Sequence, residues 1–117
     1  MNVFITGANR GLGLEMARQY VKAGHTVYAT TRTASPEFLR FKTSAPEGLV
    51  HLTLDISDGS SAKELAQAMK DVNHIDLLIN NAGVFLGRSS SFEEVDLNLV
   101  QESFAVNAVG PMRVTQT

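Results

Sequence analysis

A glycine-rich segment at residues 5–13, ITGANRGLG, constrains the fold of this chain more than any other stretch. The residues that lead into it, VFIT at 3–6, are apolar in succession, as buried strands of parallel sheets tend to be. The residues that follow, 12–24, carry apolar side chains at helical spacing and end on a glycine. The segment is therefore predicted to connect a buried strand to a helix, with a tight turn between them.

The same alternation of strand and helix continues along the chain. Three further apolar or β-branched runs are predicted as strands, at 26–32, 49–56 and 75–83. Helical patterns are predicted within 33–48, 57–72 and 92–117. Strands separated by helices indicate βαβ units, so the predicted fold class is α/β with a parallel sheet. The length of 117 residues corresponds to one domain.

Several residues predict where these helices begin, end or bend. Pro36 suits the first position of the second helix, and Pro46 is expected to end that helix. Ser60 or Ser61 is the expected N-cap of the third helix. In the long C-terminal pattern, a bend is expected at Pro111, which follows a glycine.

The composition argues against several classes of function. The net charge is −2 and acids and bases are interspersed, so nothing indicates a nucleic-acid surface. The chain has no cysteine, which removes disulfides and thiol nucleophiles and fits a reducing compartment, so a cytoplasmic location is expected. Apolar runs are too short to span a membrane. His25, His51 and His74 lack metal-ligand spacing and are interpreted as loop or strand-end residues, so no metal site is predicted.

Gly7, Gly11 and Gly13 follow the spacing G-x-x-x-G-x-G. A side chain at these positions would keep a pyrophosphate away from the helix N-terminus, where unpaired N–H groups and the helix dipole favour anions. The spacing differs from the G-x-x-x-x-G-K-[ST] loop of ATP-hydrolysing proteins and from the G-x-G-x-x-G loop of many dinucleotide dehydrogenases. The glycines alone are also compatible with an ordinary strand-to-helix turn that binds nothing.

Four motifs in this order resemble those of the short-chain dehydrogenase/reductase family. They are TGANRGLG in the loop, Asp55-Ile56 at the end of the third strand, NNAG at 80–83 at the end of the fourth, and Asn107 in the last helix. Within the family, GANRGLGLE, YATTR and FAVNAVGPMRVTQ resemble the branch of small carbonyl reductases that includes sniffer-type and C-factor-like proteins. The resemblance covers the whole chain and implies a three-layer α/β/α sandwich of Rossmann type with strand order 3-2-1-4. It also implies NAD(P)(H)-dependent hydride transfer with small carbonyls or alcohols, in a homo-oligomer.

The residues that end the second strand bear on the choice of cofactor. An acid about 20 residues after the glycine loop would accept hydrogen bonds from both ribose hydroxyls and select NAD(H). The sequence there reads Thr30-Thr31-Arg32, without an acid. The guanidinium of Arg32, and that of Arg10 in the loop, can pair with a 2′-phosphate, so NADP(H) is expected to be preferred and NAD(H) is the alternative. Two solvated surface arginines are the structural alternative.

The resemblance implies roles for the other motif residues. Asp55 would accept from the adenine amino group, residues 81–83 would approach the ribose, and Asn107 would hold a water in a proton relay. Structural alternatives stay open, namely a helix-capping role for Asp55, a tie between strands for Asn81 and a buried structural amide for Asn107. The candidate cofactor-binding residues are Gly7, Asn9, Arg10, Gly11, Leu12, Gly13, Thr31, Arg32, Asp55, Ile56, Asn81, Ala82 and Gly83, and the candidate catalytic residue is Asn107.

The catalytic serine and Tyr-x-x-x-Lys pair of this family are not recognisable in the sequence. Tyr20 is followed by Lys22 on a different side of the helix, and Tyr28 is followed at i+4 by Arg32 in a predicted strand. The chain is therefore interpreted as the N-terminal, cofactor-binding half of a longer reductase, inactive by itself, with its fourth strand at a sheet edge. The alternatives are a non-catalytic NAD(P)-binding or signalling module and a non-functional fragment.

Overall fold

The computed structural model describes residues 1–45, 47–88 and 90–117. Its strands are β1 (Asn2–Ile5), β2 (Thr26–Thr31), β3 (Leu49–Thr53) and β4 (Leu77–Ile79). Its α-helices are α1 (Gly11–Lys22), α2 (Pro36–Ser44), α3 (Gly59–Ala68), α4 (Leu97–Phe104) and α5 (Gly110–Gln116), and a π-helical turn, Ala105–Val109, joins the last two. Pro36 begins α2 as predicted, whereas Pro46 lies outside the described residues. Among the described residues, no helix combines the length and apolarity that a membrane span requires.

The strands of the described chain form one parallel sheet in the order β3-β2-β1-β4. Strand β1 lies inside the sheet, where Val3 is opposite both Val27 and Leu77. The predicted strand order is confirmed, and β4 occupies an edge as predicted. Because the chain leaves β1 toward β2 on one side and later returns to β4 on the other, a crevice opens at the carboxyl ends of these strands.

Helices cover both faces of the sheet, because its strands are apolar on both faces. On one face, Val3 and Ile5 pack in a buried cluster with Leu14 of α1 and Phe38 of α2. On the other face, Phe4 packs in a second cluster with buried residues of α3, the π-helical turn and α5. One cluster lies between the sheet and the helices on each of its faces, so the molecule has three layers and the predicted sandwich is confirmed. The complete burial of Phe38 contributes roughly 1.5–3 kcal/mol to stability.

Strands β3 and β4 are several residues shorter than predicted. Strand β3 stops at Thr53, which is opposite Thr31, because β2 ends there and offers no further partner. Strand β4 has only three residues, because its neighbour β1 ends at Ile5. Residues 54–56 and 80–83, which were predicted as strand, instead form connections at the carboxyl edge of the sheet. The excess of predicted strand therefore falls on the segments that approach the crevice.

The N-cap of α3 is Asp58, and the prediction of Ser60 or Ser61 is wrong. Oδ1 of Asp58 accepts hydrogen bonds from the backbone N–H and from Oγ of Ser60, each 2.9 Å long. The backbone bond from Ser60 is the main cause that lowers the pKa of the Asp58 carboxyl. Oγ of Ser61 accepts instead from the N–H of Asp55. The helix begins at Gly59 because aspartate is as good an N-cap as serine and comes first in the chain.

The C-terminal helical pattern is shorter and less regular than predicted. It begins at Leu97 rather than at residue 92. In the π-helical turn before α5, the N–H of Gly110 donates to the carbonyl oxygen of Ala105, five residues back. Pro111 has no N–H, and its ring crowds the preceding turn of a regular α-helix. The irregularity therefore lies in the turn before Pro111, where a wider helix accommodates the proline.

Candidate functional site

A cleft of about 640 Å³ lies at the carboxyl edge of the sheet, where the connections that follow all four strands converge. The lining includes the candidate residues Gly7, Asn9, Arg10, Gly11, Thr31, Arg32, Asp55, Ile56, Asn81, Ala82 and Gly83. Of the described candidates, Leu12, Gly13 and Asn107 are not part of the lining. The lining residues that sequence reasoning missed are Thr30, Thr33, Ser35, Leu54, Val84 and Val106. Most of them adjoin a candidate in the chain, so extending each motif by one residue would have found them.

The three loop glycines are required for different reasons. Gly7 has a φ of 67°, and a Cβ built there would lie 2.7 Å from the Cα of Ala82. A Cβ on Gly13 would collide with the carbonyl oxygen of Gly7 and with Nδ2 of Asn81. A Cβ on Gly11, which has a φ of 56°, meets no described atom within 4 Å. Gly7 and Gly13 thus make room for the protein itself, and of the three loop glycines only Gly11 leaves open space. That the glycines make room for a phosphate stays a prediction.

Asn81 ties the glycine loop to the segment after β4. Its Nδ2 donates to the carbonyl oxygens of Thr6 and Gly7, each 3.1 Å away. The backbone N–H groups of Asn81 and Ala82 both donate to Oγ1 of Thr6, at 3.0 Å. The structural alternative for Asn81, a tie between neighbouring strands, therefore describes its side-chain contacts. This network fixes the loop at the mouth of the cleft.

Asn9 connects the glycine loop to α2. Its Oδ1 accepts from the backbone N–H of Ser35 at 2.6 Å, and its carbonyl oxygen accepts from Oγ of Ser35 at 2.7 Å. Ser35 is the N-cap of α2, and its Oγ also accepts from the N–H of Phe38. Asn9 thus positions an element beside the cleft, and its direct contact with a cofactor stays a prediction. Leu12, another candidate, has a 69% exposed side chain.

Two cations and a helix terminus give the cleft a positive end. Arg10 is the N-cap of α1 and Arg32 follows β2, and both are exposed. Neither guanidinium forms an ion pair with another described residue. The side chain of Arg10 makes no capping hydrogen bond, so it does not satisfy the first N–H groups of α1. Within the described chain, no three potential metal ligands lie together.

Thr31 borders the cleft, but its side-chain hydroxyl is engaged by a residue of the neighbouring strand. Only 2% of Thr31 is exposed, and its Oγ1 lies 2.8 Å from Nε2 of His51. His51 lies inside β3, which corrects its interpretation as a loop or strand-end residue. Its ring centroid is 4.7 Å from that of Phe38 in α2. Burial, and secondarily the charge of Lys42, lower the pKa of His51.

The loop after β3 is held by its own polar groups and by α5. Oδ1 of Asp55 accepts from the backbone N–H of Ser57 at 3.0 Å and from its Oγ at 2.6 Å. The carboxylate is thus engaged in a local turn with Ser57, and the helix-capping alternative for Asp55 is wrong, because the N-cap of α3 is Asp58. The carbonyl oxygen of Ile56 accepts from the guanidinium of Arg113, 2.6 Å away. Sequence reasoning missed Arg113, because nothing near position 113 signals a contact with a loop 57 residues earlier.

Asn107 lies in the π-helical turn and binds the backbone of Val84. Its Oδ1 accepts from the N–H of Val84 at 2.8 Å, and its Nδ2 donates to the carbonyl oxygen of Val84 at 2.7 Å. A Cβ on Gly83 would lie 3.2 Å from the same Oδ1. The amide therefore holds the segment after β4 against the π-helical turn. Its paired donor and acceptor bonds resemble those that a backbone peptide group makes to a neighbouring strand.

Comparison with known families decides what kind of protein this is. The family model described as short chain dehydrogenase matches residues 1–117. The chain belongs to the short-chain dehydrogenase family. The predicted family is thereby confirmed, whereas the narrower assignment to a sniffer-like branch stays a prediction.

Relatives and solved structures agree with membership of the short-chain dehydrogenase family. The short-chain dehydrogenase srdF of Neurospora crassa is 34% identical over 122 residues, which cover 97% of this chain and 48% of that protein. A carbonyl reductase structure from Pseudomonas aeruginosa superposes with a TM-score of 0.86 at 30% identity, over 98% of this chain and 53% of that one. A serine dehydrogenase complexed with NADP⁺ has a TM-score of 0.84 at 27% identity, over 99% of this chain and 46% of that one. The chain spans about half the length of the curated relatives it matches.

Proposed function

We propose that the cleft binds NADP(H) and that this chain forms the cofactor-binding half of an oxidoreductase for small carbonyl or alcohol substrates. One observation carries the proposal. Two exposed guanidinium groups without a described ion-pair partner, Arg10 and Arg32, meet the N-terminus of α1 at the same cleft. A dinucleotide with a phosphorylated ribose presents its anionic groups as a pyrophosphate and a phosphate monoester. The cleft offers a helix terminus for the first and two cations for the second.

The glycine loop supports the placement of the pyrophosphate. The N–H groups of Gly11, Leu12 and Gly13 begin α1 and have no earlier carbonyl within the helix to bond to. The open space at Gly11 lets an anion approach these donors, and a side chain there would fill that space. The exposed side chain of Leu12 stays outside the cleft, so Leu12 is proposed to contribute through its backbone.

The residues at the end of β2 support a preference for NADP(H) over NAD(H). Arg32 offers a guanidinium that can pair with a 2′-phosphate, and Arg10 lines the same cleft. The serine dehydrogenase to which this chain is similar was solved as a complex with NADP⁺. Asp55 and Ile56 line the cleft beyond these arginines and are proposed to border the adenine.

The proposed reaction needs little from this chain beyond binding and positioning. When bound, the nicotinamide supplies or accepts the hydride. Residues 81–83 border the cleft and are proposed to orient the ribose on the nicotinamide side. Asn107 is proposed to act as a positioning residue, because both polar atoms of its amide bind Val84. Substrate binding and homo-oligomer formation are proposed for the longer protein that the family's length implies.

Calorimetric titration of the 117-residue chain with NADPH and NADH tests the proposal. We expect tighter binding of NADPH. Arg32→Gln is expected to weaken NADPH binding roughly tenfold or more, because a charge-assisted bond to phosphate is lost, and to leave NADH binding nearly unchanged. Arg40→Gln is the matched control, because Arg40 is an exposed arginine on α2 that does not line the cleft.

Three results would contradict the proposal. Equal affinities for the two cofactors would remove the assigned preference. Equal losses from the Arg32 and Arg40 substitutions would show that only general charge attracts the ligand. Absence of binding by a folded chain would remove the cofactor site.

A further inference from the structure

The side chain that ends β2 is held in the interior by a residue of the neighbouring strand. Oγ1 of Thr31 lies 2.8 Å from Nε2 of His51, and Thr31 is almost completely buried. In the sheet register Thr31 pairs with Thr53 and His51 pairs with Ala29. Because side chains two residues apart share a face, Thr31 and His51 lie diagonally on the face that α1 and α2 cover.

The imidazole of His51 packs in turn against an aromatic side chain of α2. Its ring centroid lies 4.7 Å from that of Phe38, a fully buried residue of α2. The N-terminus of α2 is in turn bonded through Ser35 to Asn9 of the glycine loop. His51 thus packs against a helix whose N-terminal residue Ser35 borders the cleft. The contact between Thr31 and His51 is part of the scaffold of the cleft.

The contact between Thr31 and His51 bears on how the site distinguishes a ribose from a ribose 2′-phosphate. An acid about 20 residues after the glycine loop reads an unphosphorylated ribose only if its carboxylate faces the ligand. The geometry points to His51 as a specificity-determining residue. It holds the side chain of position 31 inside the protein and leaves the choice between ribose and ribose 2′-phosphate to Arg10 and Arg32. This inference rests on the proposed function, since it concerns the same nucleotide site.

The inference predicts a dependence between two positions. In a Thr31→Asp chain the carboxylate meets the imidazole first and forms a hydrogen-bonded ion pair with it. A carboxylate engaged in this way does not accept from ribose hydroxyls, so this substitution alone does not convert the site. When His51 is also replaced by leucine, the buried carboxylate has no partner there, and its desolvation drives it toward the cleft.

The experiment measures dissociation constants of 2′,5′-ADP and 5′-AMP, which differ only by the 2′-phosphate. It compares the unsubstituted 117-residue chain with Thr31→Asp, His51→Leu and the double variant, each checked for folding by thermal melting. We expect the ratio of the dissociation constants for 5′-AMP and 2′,5′-ADP to change less than about threefold in Thr31→Asp. In the double variant we expect this ratio to fall about tenfold or more. A purely structural role of His51 would weaken both ligands equally and leave the ratio unchanged.

Several results would overturn the inference. Reversal of the preference by Thr31→Asp alone would show that His51 does not hold position 31. An unchanged preference in the double variant would show that position 31 does not reach the ribose. If the unsubstituted chain binds neither ligand, the proposed function fails together with the inference, whereas the first two results leave the proposed function intact.

A second measurement applies even if the aspartate variant does not fold. Thr31→Val preserves the shape of the side chain and removes the hydroxyl. We expect the nitrogen chemical shift of Nε2 of His51 to move in this variant and to stay constant in Thr33→Val, which changes an exposed threonine next to Arg32. An Nε2 signal that does not respond to Thr31→Val would overturn the inference.

Discussion

A methyl group added to each loop glycine meets a different environment, and this difference is measurable. Gly13→Ala is expected to lower the free energy of unfolding by about 3 kcal/mol, because its Cβ collides with the backbone of Gly7 and with Asn81. Gly11→Ala is expected to cost only about 1 kcal/mol, the strain of a left-handed residue in open space. Urea unfolding of both variants checks this order. Equal losses of unfolding free energy in the two variants would contradict the conclusion that Gly13 is needed for packing whereas Gly11 leaves open space.

The half-buried His51 predicts a loss of stability on mild acidification. Its pKa in the folded chain is lowered from 6.5, chiefly by burial and then by Lys42. The unfolded chain therefore binds a proton at His51 before the folded chain does, so the stability that this residue contributes is present above pH 6.5 and declines as the pH falls below it. Unfolding free energies measured between pH 7.5 and 5 should show a slope that His51→Gln reduces. An identical slope in that variant would contradict the assignment.

Sequence reasoning succeeded for single residues where chain neighbours determine the role and failed where distant contacts do. The exposed Arg32 and the open space at Gly11 follow from their place after a strand and before a helix. The inward direction of Thr31 could not be predicted, because its partner is His51, 20 residues away on another strand. The role of Asn9 was missed for the same reason, since Ser35 is 26 residues distant.

The N-cap of α2 connects this helix to the glycine loop beside the cleft. Ser35→Ala removes the bond to the N–H of Phe38 and the bond to the carbonyl oxygen of Asn9. We expect a loss of about 1–2 kcal/mol in unfolding free energy. The matched control is Thr43→Ala on the exposed side of the same helix, with an expected change within about 0.5 kcal/mol. A loss from the control as large as that from Ser35→Ala would contradict the role of the cap.

Strand and helix types were predictable, whereas their ends were less so. Continuous apolar runs identify the parallel strands because both faces of the sheet are covered, and the strand order follows from the family's architecture. The true end of β3 depends on where β2 stops, which no local pattern contains. The π-helical turn likewise arises from the packing of the turn before Pro111, and Gly110 already lies against Ile56 of a distant loop.

For the chain as a whole, stability is expected to be uneven. None of the eight residues of α4, all of them described, is buried, and Leu97 and Phe104 at its ends are 71% and 65% exposed. In contrast, α1 buries Leu14 and Ala17 against the sheet. Amide hydrogen exchange is therefore expected to be faster in α4 than in α1, through local opening that leaves the sheet intact. Equal protection of the two helices would contradict this expectation.

The bonds between Thr6 and the segment at Asn81 and Ala82 also constrain the order in which parts of the chain fold. They join groups 75 and 76 residues apart, so the glycine loop cannot settle until most of the chain has been synthesised and has collapsed. A chain that carries only β1 to α3 has the loop and its bonds to Ser35 but lacks the partners that follow β4. The glycine loop, although it precedes these partners by more than 70 residues, is thus among the last segments to reach its final shape.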